Sequence, residues 1–317
     1  MVTSALRAQL AAERDRLLAF GRGARSAIGG FGHLDSRGRL VPDAPIPTFQ
    51  TCRMTYSFVL SVLLGNEDDR ELVRGGLHAL QHELRDHEHG GWYDTINPDG
   101  MPKIETKAAY AHAFVLLAAA SATAIGEPGA PELLDEIRTV IDEHFWDNDA
   151  GVMRESFDAG WTNSESYRGA NANMHTVEAF LAAADATGDA EYLRRAERIA
   201  RTFIDDFARR YDWRLPEHYS AALDVLPDYN RDDPMHHFRP YGVTPGHLLE
   251  WSRLCIQLSA SLRAASLDDG WHLDAARALY ARAVADGWDA DGRPGFVYTV
   301  DFEGRPVAHT RMWWVLA

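Results

Sequence analysis

The stretch TCRMTYSFVLSVLLGNEDDRELVRGGLHALQHELRDHEHGGWYD, residues 51–94, predicts two helices joined by a short turn at Gly65-Asn66. Its first half is rich in small, aromatic and uncharged polar residues. Its second half repeats apolar residues at helical spacing and carries charges on the opposite face, as expected of an amphipathic helix. The stretch therefore predicts a helical hairpin whose first helix is the more buried of the two.

The same pattern recurs in residues 109–155, 172–207 and 244–299. The units begin roughly 60 to 70 residues apart, which is longer than the usual period of an open helical repeat. An open solenoid would present a concave binding surface, whereas a closed toroid would enclose a central pit. Because the first helices carry Arg, His, Tyr, Trp and Glu, a polar pit is favoured. We predict an all-α toroid of paired inner and outer helices, forming a single domain over residues 1–317.

Charge and composition exclude several functional classes. The formal net charge is −15, so binding to nucleic acid phosphates or to an anionic membrane surface is not expected. Residues 1–20 contain charges throughout and do not form a signal peptide, and no apolar run is long enough to span a membrane. The two cysteines, Cys52 and Cys255, form no CxxC pair. These features predict a protein of the reducing cytoplasm.

The start of the fourth unit carries the strongest candidate for acid–base chemistry. Thr244 is a predicted N-cap, Pro245 fits the first helical position, and His247 follows in the first turn. Glu250 lies three residues further on, on the same face, where it would bind a hydroxyl group or orient the histidine. Since the positive end of the helix dipole disfavours imidazolium, His247 is expected to be neutral and available as a base.

Other first helices offer similar groups near their starts. Asn171 and His175 are four residues apart and share a helical face, and Arg53 occupies an early position in the first unit. Each of these residues, like Tyr110 and Phe114, would by itself also fit packing, capping or a structural ion pair. If the repeats share one architecture, however, these positions meet at one end of the pit and resemble a polyol site.

No metal centre or nucleotide-binding motif is predicted. The chain lacks HExxH, P-loop and GxGxxG patterns. His236 and His237 lie beside Asp232 and Asp233, but adjacent residues in irregular chain rarely converge on one ion.

Four blocks of this sequence resemble a known family: GGWYDTINPDG (residues 90–100), RGANANMH (168–175), LPDYNRDDPMHHFRPYGVTPGHLLEW (226–251) and FVYTVDFEGRPV (296–307). They are similar to the bacterial aldose–ketose isomerase branch of the N-acylglucosamine 2-epimerase superfamily, which includes D-mannose and sulfoquinovose isomerases. The resemblance implies an (α/α)6 barrel. It also implies cofactor-free isomerisation of D-mannose to D-fructose, or of D-lyxose to D-xylulose, through a cis-enediol.

The resemblance also implies roles for individual residues. His247 matches one of two proton-transferring histidines, and the second is expected beyond residue 317. The matching substrate-binding positions are Arg53, Asn171, His175 and Glu250, with Arg239, Tyr110 and Phe114 as further pocket residues. About nine of twelve barrel helices are expected here, with a tenth beginning at Thr310, so we expect the sequence to be part of a longer protein.

Several alternatives remain open at this stage. A sugar 2-epimerase of the N-acylglucosamine or cellobiose type would share the fold and the base, and a sulfoquinovose isomerase would need donors for a sulfonate. A glycoside hydrolase or lyase on the same scaffold would need paired carboxylates. A non-catalytic helical-repeat module would need no base. The expected partner is a monosaccharide, and self-association is left open.

Overall fold

The computed structural model describes residues 3–316 and contains nine α-helices within them. Its internal contacts divide the chain into two compact units. The first comprises the chain up to His144 together with Ser156–Asn163, and the second comprises Phe145–Glu155 together with the chain from Ser164 onward.

The first unit contains an N-terminal helix followed by two helical hairpins. Its helices are α1 (Ser4–Gly21), α2 (Thr48–Leu63), α3 (Arg70–Gln81), α4 (Ala109–Ala124) and α5 (Ala130–Val140). Helix α2 packs on α3 and α4, and α4 packs on α5. Helix α4 is buried over nearly all of its surface, whereas α3 and α5 bury one apolar face. These two hairpins confirm the predicted pairing of a buried helix with an amphipathic one.

The second unit repeats this arrangement. Its helices are α6 (Ala170–Thr187), α7 (Ala190–Ala200), α8 (Pro245–Ala264) and α9 (His272–Gly287). The two buried helices, α6 and α8, pack on each other, and each packs on its own partner, α7 or α9. π-helical turns continue α5 at Ile141–Phe145 and α7 at Arg201–Ala208.

Short antiparallel strands connect the helices. They are β1 (Ile46–Pro47), β2 (Thr95–Ile96), β3 (Pro102–Ile104), β4 (Lys107–Ala108), β5 (Trp146–Asp147), β6 (Val152–Met153), β7 (Ser156–Phe157), β8 (Tyr167–Gly169), β9 (His218–Ser220), β10 (Thr299–Val300) and β11 (Pro306–Ala308). The first unit contains the sheet β1-β2-β3 and the pair β4-β7. The second contains β5-β6, β8-β9 and β10-β11. The last pair, β10-β11, forms a small antiparallel hairpin.

The end of the described chain differs from the prediction. The expected helix does not begin at Thr310; instead, a short 3₁₀ helix covers Trp313–Leu316. The Arg311 guanidinium donates hydrogen bonds at 2.8 and 2.6 Å to the two carboxylate oxygens of Asp291, and also to the carbonyl of Arg293. These contacts tie residue 311 to the loop before β10 rather than to the first turn of a helix.

None of the helices among residues 3–316 is long and apolar enough to cross a membrane.

Helices α2 and α3 lie in close contact at Gly76. A Cβ atom built on Gly76 would lie 1.9 Å from Thr55 Oγ1 and 3.3 Å from a ring carbon of Phe31. The hydroxyl of Thr55 is itself fixed, because it donates to the Thr51 carbonyl at 2.8 Å. The hairpin therefore depends on the absence of a side chain at residue 76.

Replacing Gly76 with Ala should lower the free energy of unfolding by about 1–3 kcal/mol, because the added methyl group overpacks the interface between the helices. The neighbouring Gly75 provides a matched control on the same helix, since its added Cβ would meet nothing within 4 Å. Gly75→Ala should raise stability by about 0.5–1 kcal/mol through backbone entropy. Urea unfolding of both variants tests this pair; equal stabilities would refute the steric account.

Candidate active site

In the first unit, the structure brings together three of the predicted site residues. The Arg53 guanidinium lies 5.0 Å from the ring centroid of Phe114, and the rings of Phe114 and Tyr110 have centroids 5.0 Å apart. Arg53 is exposed on α2, whereas Phe114 is buried on α4. An exposed cation over an aromatic surface is suited to hydroxyl groups on a sugar.

In the second unit, His247 lies in the first turn of α8. Pro245 occupies the first helical position as predicted, and Thr244 has the extended backbone of an N-cap. The Thr244 side chain makes no capping hydrogen bond, however, so Thr244 occupies the N-cap position without capping the helix. His247 is buried, and its ring lies against Trp314 with the ring centroids 5.3 Å apart.

A carboxylate orients the His247 ring. Nδ1 of His247 lies 2.9 Å from Oε1 of Glu217, and both side chains are buried. Because a carboxylate oxygen can only accept, Nδ1 is the atom that carries the proton. In the neutral ring, the lone pair is then on Nε2, which accepts no hydrogen bond from any residue that the structure describes.

The expectation that the helix dipole keeps His247 neutral is wrong in direction. Burial lowers the pKa of His247, but the charge and hydrogen bond of Glu217 and the charge of Glu250 outweigh burial and raise the pKa above its ordinary value. A full charge at hydrogen-bond distance exceeds the partial charge of a helix end. The ring is therefore a stronger base than the sequence alone suggested.

A second histidine–glutamate pair lies on α6. Nδ1 of His175 lies 3.2 Å from Oε2 of Glu178, whose other oxygen accepts a hydrogen bond at 2.8 Å from Arg253 on α8. Burial raises the pKa of Glu178, but His175 and Arg253 lower it to about 2. Glu178 is thus ionised at neutral pH and links the two helices.

The other predicted residues on α6 and α8 have less contact with the protein. Asn171 and Glu250 are half-buried, and neither makes a side-chain hydrogen bond to any of residues 3–316. Asn173, by contrast, is fully buried and structural, because its amide group binds the Gly169 carbonyl and the Met153 N–H. The free polar groups of Asn171 and Glu250 are therefore the ones available to a ligand.

Arg239 lies in a network of carboxylates and phenols. Its guanidinium donates to both oxygens of Glu165, at 2.6 and 2.9 Å, and to the Tyr229 hydroxyl at 3.2 Å. It also lies 4.2 Å from the Tyr167 ring centroid and 3.6 Å from Oε1 of Glu155. Its charge is therefore largely balanced within the protein.

The network around Arg239 extends through Tyr167 to His218, which follows Glu217 in the sequence. The Tyr167 hydroxyl lies 2.6 Å from Nδ1 of His218, whose Nε2 donates at 2.8 Å to the Pro240 carbonyl. Burial lowers the pKa of His218, which favours the neutral ring with its proton on Nε2 and with Nδ1 accepting from the Tyr167 hydroxyl. Burial also raises the pKa of Glu155 to about 7, against the opposing charge of Arg239.

Among residues 3–316, no group of three or more His, Cys, Asp or Glu side chains is arranged to hold a metal ion.

Comparison with known proteins identifies the family. The N-acylglucosamine 2-epimerase (GlcNAc 2-epimerase) profile matches residues 29–317. The chain belongs to this family. It is 49% identical over 314 residues to a D-mannose isomerase of Thermobifida fusca, covering 99% of this chain and 76% of that protein. A D-mannose isomerase of Pseudomonas cannabina pv. alisalensis is 45% identical over 306 residues, covering 96% of this chain and 73% of that protein.

A solved structure supports the same assignment. The crystal structure of a D-mannose isomerase superposes with a TM-score of 0.90 at 28% identity, covering 97% of this chain and 78% of the other. This match confirms the expected fold class, the (α/α) barrel of the family.

Sequence reasoning missed the carboxylates that hold the site together. Glu178 follows His175 at the same i, i+3 spacing that singled out His247 and Glu250, so this spacing could have predicted its role. Glu217 was not predictable in this way, because it lies 30 residues from His247 along the chain and contacts it only in the folded structure.

The largely buried Glu155, whose side chain is 13% exposed, predicts a measurable pH dependence of stability. With its pKa raised from 4.5 to about 7, the native state holds a proton that the unfolded state has already released between these values. The free energy of unfolding therefore falls as pH rises from about 5 to 8, by on the order of 2–3 kcal/mol. Glu155→Gln should lack this fall, and the exposed Glu132→Gln should retain it. Urea unfolding across this pH range measures the difference; parallel curves for Glu155→Gln and wild type would contradict the prediction.

Proposed function

We propose that this protein is an aldose–ketose isomerase that interconverts D-mannose and D-fructose. The observation that carries the proposal is His247, a buried histidine with a hydrogen-bonded Nδ1 and an Nε2 left for proton transfer. Support for the substrate comes from the D-mannose isomerases of T. fusca and P. cannabina, which are 49% and 45% identical to this chain.

The proposed reaction begins when Nε2 of His247 removes the proton from C2 of the open-chain aldose. The C–H electron pair forms the C1–C2 double bond of a cis-enediol, while O1 takes up a proton. Loss of the O2 proton and delivery of a proton to C1 then give the 2-ketose. The raised pKa of His247 suits this step, because removing a proton α to a carbonyl requires a strong base.

The remaining predicted residues supply hydrogen bonds to the sugar. Asn171 and Glu250 have uncommitted polar groups, and His175 is oriented by Glu178. For Arg53, Tyr110, Phe114 and Arg239, the proposed role is substrate binding. Amides, carboxylates and imidazoles match the alternating hydroxyl groups of a neutral hexose.

Proton transfer through an enediol needs only acid–base groups and hydrogen bonds to the sugar oxygens, so the proposal requires no cofactor. We further propose that the protein works in the cytoplasm. Cys52 and Cys255 are both buried free thiols, which is in keeping with a reducing compartment.

The direct test is to incubate the protein with D-mannose in deuterium oxide and to follow the reaction by proton NMR. The expected product is D-fructose carrying deuterium at C1. His247→Ala should lower kcat by about 10²–10⁴-fold, because the general base is lost. His78→Ala removes an exposed histidine of α3 and should leave the rate unchanged.

The products also distinguish the alternatives. D-Glucose as the main product from D-mannose would identify a 2-epimerase instead. Unchanged mannose, together with unchanged D-lyxose, would refute the aldose–ketose proposal, and full activity in His247→Ala would refute the assigned base.

The charge balance around Arg239 predicts that the substrate is a neutral sugar. Glu165 binds Arg239 through two hydrogen bonds, so a sulfonate would have to compete with a carboxylate already in place. We expect D-mannose to be turned over and sulfoquinovose to give less than about 1% of its kcat/KM, equivalent to a discrimination of roughly 3 kcal/mol. Equal turnover of the two sugars would show that Arg239 or another cation is free for the sulfonate.

A further inference from the structure

We propose that Glu217 is the positioning residue of His247, fixing the proton on Nδ1 so that Nε2 faces the substrate as the base. This inference deepens the proposed isomerase function and rests on it for its kinetic part only. Its structural part concerns the imidazole alone and is testable without any sugar.

The position of Glu217 is set by the backbone rather than by the ligand pocket. Its carbonyl accepts a hydrogen bond at 3.0 Å from the N–H of Ala170, the first residue of α6. Directly after it, His218 pairs with Gly169 in the β8-β9 ladder. The backbone at Glu217 is therefore fixed to the start of α6 and to β8, and its carboxylate lies beside His247 in the first turn of α8.

The contact has the geometry of an orienting pair. Nδ1 of His247 lies 2.9 Å from Oε1 of Glu217, and the carboxylate side chain is only 3% exposed. A buried carboxylate opposite one imidazole nitrogen selects a single tautomer, as the aspartate does in serine protease triads. Trp314 lies against the same ring and leaves it little room to rotate.

The other charged groups near His247 do not explain the tautomer. Glu250 acts on the ring only through its charge, without a hydrogen bond, and His218 is a neutral neighbour whose proton points to Pro240. Tyr298, which packs edge-on against Trp314, has its pKa raised to about 12 by burial and the charge of Glu217, so it stays uncharged near neutral pH. Glu217 is therefore the group that controls both the orientation and the basicity of the ring.

The first experiment is ¹⁵N NMR of histidine-labelled protein without sugar, with His247→Gln used to assign the signals. We expect a neutral His247 protonated at Nδ1, in contrast to the Nε2 protonation favoured by free histidine. In Glu217→Gln the titration of His247 should move to lower pH, because the neutral amide accepts a hydrogen bond but carries no charge. Glu127→Gln, the same change at a buried carboxylate paired with Arg70 and Arg74, should leave the titration in place.

The second experiment is the pH dependence of D-mannose isomerisation. Glu217→Gln should lower kcat about tenfold or more with a smaller change in KM, and its acid limb should move to lower pH. Glu217→Ala should lose more activity than Glu217→Gln, because the ring also loses its orientation. Glu217→Asp should retain part of the activity that Glu217→Ala loses. A loss caused by misfolding would instead appear as a lowered melting temperature and as histidine signals that collapse toward the shifts of an unfolded chain.

The outcomes separate this inference from the proposed function. An Nε2-protonated His247 in the wild type, or the same titration in Glu217→Gln, would overturn the role of Glu217 whatever the enzyme does. The expected tautomer in a protein that isomerises no aldose would instead overturn the proposed function and leave the pairing intact.

Discussion

The hydrogen bond between His247 and Glu217 joins two parts of the chain that are 30 residues apart in sequence. Next to Glu217, β9 pairs with β8 in a register that places His218 opposite Gly169, and α6 begins directly after that ladder. The Glu217 carbonyl accepts a hydrogen bond from the Ala170 N–H at the start of α6. The short β8-β9 ladder and the start of α6 thus fix the backbone that carries the carboxylate of this pair.

Charges at buried and half-buried positions are balanced locally in both units. In the first unit, the fully buried Lys107 binds Asp86 at 2.6 Å, and the pKa of Asp86 falls to about 2 despite its burial. In the second, Arg239 is held between Glu165 and Glu155. An unpaired ion in such places would cost several kcal/mol, so each pair restrains the loops that carry it. The carboxylates around Arg239 also make this cation less available to an anionic substrate.

Residue-level predictions succeeded where a signal was local. Pro245 and His247 lie at the start of a helix as their order in the sequence predicted, because proline at the first helical position is a strong local constraint. The amphipathic second helices α3, α5 and α7 were likewise predictable from the spacing of their apolar residues. The direction of the pKa shift of His247 was not predictable in this way. The helix dipole can be read from neighbouring residues, but the stronger charge of Glu217 is remote in sequence.

The sequence by itself determined the helical hairpins, the net negative charge and the family resemblance, because each depends on composition, local patterning or blocks of consecutive residues. Only the tertiary structure decided which carboxylate serves which base: Glu217 binds His247, Glu178 binds His175, and Glu165 binds Arg239. It also decided that no helix begins at residues 310–312, where Arg311 contacts Asp291. The physical reason is that hydrogen bonds and ion pairs act over a few ångströms in space, whatever the separation of their partners along the chain.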